Sequence, residues 1–248
     1  MSIEIKMRVE SYDVQPDGKI KISSLLKMLQ KAAGDDVNRT SINYFALAEK
    51  NIAFVLTKMT LKLLQDINVY DELIIVSHPR KTRGASFPRD FVVKCNDTTV
   101  AVARSMWVLL DLEKRTILRP NSIDAMGSLA PNDDDDCFDL TDVRRILDEN
   151  SLSRTNVLEV EYSMLDMNNH LNNTFYADFV FNALNKLSDG LSAKKGLYFQ
   201  INYKNEARLG DSIEICTSGF NDNCCDISAK NISADKICFT AYVSYSVD

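Results

Sequence analysis

Four polar side chains in the C-terminal part of the chain are the best candidates for chemistry. Asp166, Asn168 and His170 stand at every second position of one short segment, and Glu206 follows in a charged break between two strand-like runs. An imidazole can accept a proton near neutral pH, as a general base must. A nearby carboxylate can orient the ring, and an amide can hold a water or a carbonyl oxygen. These residue types favour acyl transfer with water as the nucleophile.

The segment after His170 has the spacing of a helix. Asn172 or Asn173 suits the N-terminal cap of this helix, and Gly190 suits its end. The apolar residues that recur every three or four positions are Phe175, Phe179, Val180, Ala183, Leu184 and Leu187. Free backbone N–H groups at a helix N-terminus favour a developing oxyanion, so the position beside His170 is suited to this chemistry.

Several common catalytic and ligand-binding motifs are missing from the sequence. It contains no G-x-S-x-G elbow, no H-x-x-x-H pair and no glycine-rich phosphate loop. His78 precedes Pro79 at the end of a strand-like run, which indicates a structural role. The scattered cysteines indicate reduced, packed thiols: Cys95, Cys137, Cys216, Cys224, Cys225 and Cys238. We therefore expect no metal and no cofactor.

The chain reads as two copies of one α+β unit. In the first copy a helix with one apolar face begins after Ser24, and strands are predicted over 52–64 and 99–111. The apolar face of this helix consists of Leu25, Leu26, Leu29, Ala33 and Val37. In the second copy strands are predicted over 196–202 and from Ile237 to Val247, after the helix that follows His170.

The duplication provides an internal comparison for the candidate site. Counting from the aspartate that opens each segment, we expect Asp17, Lys19 and Lys21 at the positions of Asp166, Asn168 and His170. By the same comparison Asp66 stands at the position of Glu206. The first copy has no imidazole, so the sequence predicts one site, in the second copy.

Charge and hydropathy bound the class of protein. The net charge of −6 argues against a nucleic-acid binder, which needs a basic face. The first residues alternate charged and apolar types without a signal-peptide core, and no run approaches the length of a membrane span. These features predict a cytoplasmic protein. Prolines and the run of aspartates at 133–136 indicate an exposed linker over 119–153, with a short helix at 142–147.

The string Asp166-Met-Asn168-Asn-His170-Leu-Asn-Asn resembles the signature of the acyl-ACP thioesterases of plant plastids and bacteria. Three further segments, 51–59, 103–111 and 203–206, resemble other parts of that family, so the resemblance spans nearly the whole chain. It implies an α+β tandem double hot-dog fold, with two long helices each wrapped by an antiparallel sheet. The expected domains are 1–118, which holds the acyl chain, and 154–248, which is catalytic.

The resemblance also implies a substrate and roles for its residues. It implies hydrolysis of fatty acyl-ACP in fatty acid biosynthesis, with Asp166, Asn168, His170 and Glu206 as the catalytic residues and acyl carrier protein as the partner. Plant relatives often have a cysteine after the catalytic acid, whereas this chain has Ala207, so a thiol there is not required.

The first copy is then free to bind substrate. We expect its helix and sheet to wall the acyl chain and a basic cluster to steer the carrier. The residues expected in the acyl pocket are Leu25, Leu29 and Met59. The residues expected in the carrier patch are Arg80, Lys81 and Arg83, with Arg89 close by.

Several alternatives stay open at the level of the sequence. The chain could be an acyl-CoA thioesterase, a hot-dog hydratase or a non-catalytic acyl-binding protein. The proton could pass to His170 or to Glu206, or Glu206 could attack the substrate covalently. Neither the preferred chain length and branching nor the choice between monomer and homodimer follows from the sequence.

Overall fold

A computed structural model of the protein describes residues 2–120, 152–187, 196–220 and 222–246. Within these ranges the chain folds into α-helices packed on one antiparallel sheet of 11 strands. The helices are α1 (Ile22–Asn38), α2 (Tyr44–Ala48) and α3 (Phe175–Leu187). The strands are β1 (Ile3–Arg8), β2 (Ile52–Leu63), β3 (Glu72–Pro79), β4 (Ser86–Cys95), β5 (Thr98–Asp111), β6 (Thr116–Leu118), β7 (Ser153–Glu159), β8 (Leu197–Tyr203), β9 (Ser212–Thr217), β10 (Cys224–Asn231) and β11 (Lys236–Ser244).

The order of the strands shows that the sheet contains one arrangement twice. Along the sheet the first half contributes β1, β3, β4, β5 and β2, and the second half continues with β8, β11, β10, β9 and β7. The second series repeats the first in reverse, with β8 in the place of β2 and β7 in the place of β1. The short strand β6 pairs with β5 outside this series. The two halves are therefore related by an approximate twofold axis.

The twofold axis passes between β2 and β8, the strands that join the halves. Their antiparallel register runs from Lys58 opposite Asn202 to Leu63 opposite Leu197. Near the middle of this joint Leu61 lies opposite Phe199, and both side chains are fully buried. The pairing makes one continuous sheet out of two half-sheets.

The two long helices pack side by side on one face of the sheet. The predicted apolar face of α1 is buried, with Leu25, Leu26 and Leu29 inaccessible to solvent. Val180 and Leu184 of α3 belong to the same hydrophobic core, which includes strand residues of both halves. A smaller apolar cluster in the first half consists of Ile42, Leu47, Phe87 and Leu109, with Ile52, Phe54, Trp107 and Leu118 packed against it.

The fold agrees with the sequence prediction in its class and main elements. The strands predicted over 52–64 and 99–111 are observed as β2 and β5, each within one residue of its predicted bounds. The sequence analysis did not predict β1, β4, β6, β7, β10 or the short helix α2. The described residues do not include most of the linker 119–153, its helix at 142–147 or the helix stop at Gly190. The domain boundaries therefore stay predictions. No helix in the described ranges has the length and apolarity to cross a membrane.

Candidate active site

The turn that carries the predicted catalytic residues is closed by its own backbone contacts. Leu165 and Leu171 form an isolated antiparallel bridge, and the N–H of Asp166 donates to the carbonyl oxygen of His170 over 2.8 Å. Asn169 reverses the chain in the left-handed region, with a φ of 59°, which asparagine tolerates better than most residues. The turn thus holds His170 in a fixed place shortly before α3 begins.

Asp166 stabilises this turn through the backbone. Its Oδ1 accepts the N–H of Asn168 over 2.8 Å and the N–H of His170 over 3.3 Å. Its Oδ2 accepts the side-chain amide of Asn168 over 3.4 Å. The sequence analysis expected Asp166 to orient the imidazole directly; these contacts show instead that it positions the main chain that carries the imidazole.

His170 and Glu206 meet between the turn and the segment that follows β8. Nε2 of His170 lies 3.4 Å from Oε2 of Glu206. The two segments are held side by side because the N–H of Leu171 donates to the carbonyl oxygen of Ala207 over 2.8 Å. Both side chains of the pair are half-buried. They are shielded on one side and accessible on the other, as a site for a substrate and a water requires.

Two arginines hold the other oxygen of Glu206. Its Oε1 accepts hydrogen bonds from Nη2 of Arg208 over 2.9 Å and from Nη2 of Arg115 over 3.3 Å. Burial alone would raise the pKa of Glu206, but His170, Arg208 and Arg115 together lower that pKa below its ordinary value. Glu206 is therefore a carboxylate at neutral pH.

A cavity of about 1210 Å³ adjoins this pair. His170, Glu206 and Asn168 line one part of it, and the rest of its wall belongs mainly to the first half of the chain. The apolar lining there includes Ala33, Val37, Phe54, Leu56, Phe87 and Trp107. Ligand pockets usually measure roughly 300–1,000 Å³, so this one has room for a large apolar group.

Two sequence profiles of one family match most of the chain. The acyl-ACP thioesterase N-terminal domain matches residues 2–122, and the acyl-ACP thioesterase C-terminal domain matches residues 148–242. The chain belongs to the acyl-ACP thioesterase family. The predicted enzyme class, a thioester hydrolase, is thereby confirmed.

Solved structures of similar fold cover this acyl-ACP thioesterase from end to end. An acyl-ACP thioesterase from Bacteroides thetaiotaomicron superposes with a TM-score of 0.86 at 18% identity, over 99% of this chain and 98% of that one. The 12:0-ACP thioesterase from Umbellularia californica gives 0.83 at 15% identity, over 99% and 97%. No curated protein sequence matches significantly. At these identities the likeness establishes the fold, and it confirms the tandem hot-dog architecture.

The first half of the thioesterase contains the same turn with different side chains. The N–H of Gln15 donates to the carbonyl oxygen of Lys19 over 2.8 Å, and Nζ of Lys19 lies 2.9 Å from Oδ2 of Asp66. Lys19 therefore takes the place of His170, and Asp66 the place of Glu206. The first copy has an ion pair where the second has an imidazole and a carboxylate.

This equivalence corrects the internal alignment of the sequence analysis by two residues. Lys21 was matched with His170 because both segments were counted from an aspartate, Asp17 in one copy and Asp166 in the other. The backbone contacts show that Asp17 is not the counterpart of Asp166; Gln15 is. The expectation of an imidazole in one copy alone is unaffected, because neither lysine supplies one.

The residues predicted for the acyl pocket lie elsewhere. Leu25, Leu29 and Met59 are at most 1% exposed and belong to the hydrophobic core, and they are not part of the cavity wall. The two leucines lie on α1 and Met59 on β2, and all three belong to the same core. The cavity instead follows the C-terminal part of α1, where the small residues Ala33 and Gly34 leave space beside the helix.

The predicted basic patch divides into exposed and buried parts. Lys81 and Arg83 are exposed in the loop between β3 and β4. Arg80 lines the cavity, with its Nε 3.6 Å from Oδ2 of Asp90 and its side chain 15% exposed. Arg89 is buried and cannot belong to a surface patch. The exposed part of the patch is therefore smaller than the sequence suggested.

Arg115 and Arg208 are site residues that the sequence analysis did not identify. Arg208 stands two residues after Glu206, and this proximity could have indicated a partner for the carboxylate. Arg115 is 91 positions from Glu206 and comes from the other half, so no local pattern reveals it. In the described ranges no three potential metal ligands come together.

Proposed function

We propose that this protein hydrolyses the thioester bond of fatty acyl-ACP with His170 as the general base. The observation that supports this proposal most is the His170–Glu206 pair on the wall of a large apolar cavity, in a member of the acyl-ACP thioesterase family. His170 removes a proton from a water, and the oxygen attacks the thioester carbon. The carbon–sulfur bond then breaks, His170 gives its proton to the leaving sulfur, and the carrier leaves as a thiol while the fatty acid is released.

The electrostatics of Glu206 favour His170 as the base. A carboxylate whose pKa is lowered by His170 and two arginines binds a proton weakly at neutral pH. An imidazole has the proton affinity that general-base catalysis needs near neutrality. Once His170 holds the proton, the carboxylate 3.4 Å away stabilises the imidazolium, which is the task of the aspartate in a serine-hydrolase triad. After one turnover in ¹⁸O-labelled water, label in Glu206 itself would contradict this assignment.

Asn168 completes the proposed mechanism. Asn168 is exposed on the cavity wall, where its amide can position the attacking water or the thioester oxygen. The sequence analysis expected backbone N–H groups at the start of α3 to stabilise the oxyanion, but those of Thr174, Phe175 and Ala177 already donate to oxygens of Asn172 and Thr174. The amide of Asn168 is therefore the oxyanion donor in this proposal. Removing one such donor typically lowers kcat by roughly 10²–10³-fold, and we expect a loss of this order for Asn168→Ala if its amide holds the oxyanion.

The cavity walls of the first half hold the acyl chain in this proposal. A hydrocarbon chain gains about 0.8 kcal/mol for each methylene buried, so an apolar cavity of this size binds it well. The catalytic pair lies in the second half, and both halves are needed for one complete site. The ion pair of Lys19 and Asp66 leaves the first half free for binding.

The exposed cations Lys81 and Arg83 are the proposed contact for the acidic carrier protein. Opposite charges speed association and lower KM at low ionic strength. We expect Lys81→Glu/Arg83→Glu to raise KM for acyl-ACP several-fold at low salt and to leave kcat unchanged. If the double variant kept the wild-type KM in about 20 mM salt, this loop would be removed from the proposal.

The decisive experiment measures thiol release from a panel of acyl-ACPs and the matching acyl-CoAs. General-base catalysis contributes about 10²–10⁴-fold to a rate, so His170→Ala should lower kcat at least ~10²-fold. Lys19→Ala is the matched control, because Lys19 occupies the equivalent position in the other half. We expect the control to keep kcat within about twofold of wild type, as surface changes away from a site usually do.

The outcomes of this panel separate the alternatives. Faster release from acyl-CoA than from acyl-ACP would favour an acyl-CoA thioesterase, and binding without release from either carrier would favour an acyl-binding protein. Near-wild-type turnover of His170→Ala would contradict the assigned base. Equal losses in His170→Ala and Lys19→Ala would indicate a general loss of stability.

The setting of the reaction belongs to the same proposal. Acyl-ACP is the chain carrier of fatty acid biosynthesis, so we place the reaction in that pathway and in the cytoplasm.

The duplicated halves already form a complete sheet, so a monomer or a homodimer can act. Light scattering of the purified protein distinguishes these two states, and an open-ended assembly would contradict both.

A further inference from the structure

A buried ion pair interrupts the apolar inner face of the first half. Nη1 of Arg89 on β4 lies 2.7 Å from Oδ2 of Asp36 on α1. The same Nη1 donates to Oγ of Ser77 on β3 over 2.8 Å. The side chains of Arg89 and Asp36 are only 6% and 12% exposed. Isolated burial of either charge would be costly, and the pairing explains why both are tolerated.

This pair separates two apolar regions of the protein. Along β4, Phe91 belongs to the main hydrophobic core and Phe87 to the smaller cluster around the cavity, with Arg89 between them on the same face. On the neighbouring strand Ser105 lies opposite Arg89 and also interrupts the apolar face. The polar row therefore stands where the cavity meets the solid core.

Arg89 lines the cavity at its end away from the catalytic pair. Glu206 follows β8, and β4 is three strands away along the order β8, β2, β5, β4. With about 4.8 Å between neighbouring strands, the separation is roughly 14 Å. Arg80, paired with Asp90, lines the same end. An acyl chain that enters past His170 meets this wall with its far end.

The guanidinium has donors that its protein partners do not use. Asp36 and Ser77 both contact Nη1, and within the described residues Nε and Nη2 have no partner. Burial lowers the pKa of Arg89 and Asp36 raises it in part, but an arginine remains charged at neutral pH. When the cavity is filled with solvent, the remaining N–H groups can donate to water. A hydrocarbon chain that reached them would displace that water and leave them unsatisfied.

We propose that Arg89, held by Asp36, is a specificity-determining residue of the cavity. It disfavours a plain hydrocarbon chain long enough to reach it, and it favours a chain that carries a hydroxyl oxygen at that depth. The inference rests on the proposed function, because it takes the cavity as the acyl site. A hydrogen bond to a charged group is strong enough to change affinity about tenfold or more.

The test uses binding, so that it does not depend on turnover. Calorimetry of the full-length protein gives the Kd for saturated fatty acids of increasing length and for the same acids with a terminal hydroxyl. At each chain length we compare the Kd of the plain fatty acid with the Kd of the hydroxylated acid. For wild type we expect this ratio to rise at least about tenfold at the one length whose hydroxyl oxygen reaches Arg89. A ratio that varies smoothly with length in wild type would overturn the proposal without any variant.

Asp36→Leu/Arg89→Met removes both charges together, and such replacements of buried ion pairs are often neutral or stabilising. In this variant we expect the length-specific rise to disappear and longer plain chains to bind. The control Asp35→Leu/Lys31→Met makes the same changes in the exposed ion pair of α1 and should keep the wild-type pattern. A rise that persists in the first variant would overturn the role of Arg89. Failure of thiol release with an intact binding pattern would instead contradict the catalytic proposal alone.

Discussion

At the scale of single residues, the charge state of Glu206 depends on a residue from the other half of the chain. Arg115 and Arg208 share one carboxylate oxygen, and His170 faces the other. Removing a positive charge makes the carboxylate less stable relative to the acid, so the pKa of Glu206 must rise towards its ordinary value. We therefore expect Arg115→Gln to raise this pKa in a ¹³C NMR titration of the side-chain carboxyl.

Lys114 provides the control for this titration. It precedes Arg115 in the same turn, and its Nζ lies 3.8 Å from Asp111. Lys114→Gln removes the same charge from the turn, and we expect the pKa of Glu206 to stay at its wild-type value. Equal shifts in the two variants would mean that the general charge of the turn, and not the contact over 3.3 Å, sets the pKa.

The residues that could be predicted from the sequence were those in a local pattern. Asp166, Asn168 and His170 stand close together along the chain, whereas Glu206 was assigned to the site through the resemblance to the acyl-ACP thioesterases. Arg115 could not be found in this way, because the fold and not the spacing brings it to the site. The role of Asp166 was wrong in detail, since spacing shows proximity but not whether a carboxylate meets a ring or a backbone N–H.

At the scale of the elements, Gly34 shows how α1 makes room for the cavity. It lies inside the helix, where glycine costs about 0.5–1 kcal/mol relative to alanine. A Cβ built there has no atom within 4 Å, so packing inside the protein does not require glycine. We expect Gly34→Ala to raise the free energy of unfolding by about 0.5–1 kcal/mol in urea denaturation.

A larger side chain at the same position should affect specificity. We expect Gly34→Leu to shorten the longest acyl chain that the protein hydrolyses.

Lys31→Leu is the control for the second effect. Lys31 lies one helical turn before Gly34, with its side chain 55% exposed and outside the cavity wall. Lys31→Leu therefore adds a leucine side chain to the same helix without reducing the cavity. Chain-length preference that changed equally in both variants, or in neither, would contradict the position of the acyl chain along α1.

Among the elements, an apolar pattern was enough to predict some, whereas buried charges concealed β4. The observed bounds of β2 and β5 lie within one residue of the prediction, and α1 begins at Ile22, three residues before the predicted start. β4 contains Arg89 and Asp90, which are buried because ion partners on α1 and β5 neutralise them. Such partners belong to other elements, so the pattern within one strand cannot indicate that these charges are buried.

At the scale of the whole molecule, we propose that duplication has divided binding from catalysis. Both halves keep the turn before the helix, but one contains Lys19 and Asp66 and the other His170 and Glu206. The apolar cavity lies mostly in the half without the imidazole, and Arg115 of that half contacts Glu206 of the other. The missing histidine led to the same expectation from the sequence, although the residues expected in the acyl pocket lie in the core.

The joined sheet leads to a prediction about stability. Because β2 pairs with β8 and one core includes both halves, we expect both to unfold in a single transition. The single tryptophan, Trp107, reports on the first half through its fluorescence. Cys225 and Cys238 report on the second, since burial raises the pKa of both thiols to about 11 and keeps them unreactive until they are exposed. Urea titrations followed by fluorescence and by mass-resolved thiol labelling should share one midpoint.

A variant at the joint distinguishes this coupling from coincidence. Phe199 is fully buried on β8 opposite Leu61, and Phe→Ala changes in cores cost about 3–5 kcal/mol. Phe199→Ala should therefore lower both midpoints together, although Trp107 lies in the other half. Phe45→Ala makes the same change at a side chain that is 74% exposed, and it should alter stability by less than about 0.5 kcal/mol. If the thiol midpoint fell while the fluorescence midpoint stayed in place, the halves would be independent domains, and the β2–β8 pairing would contribute little to cooperativity.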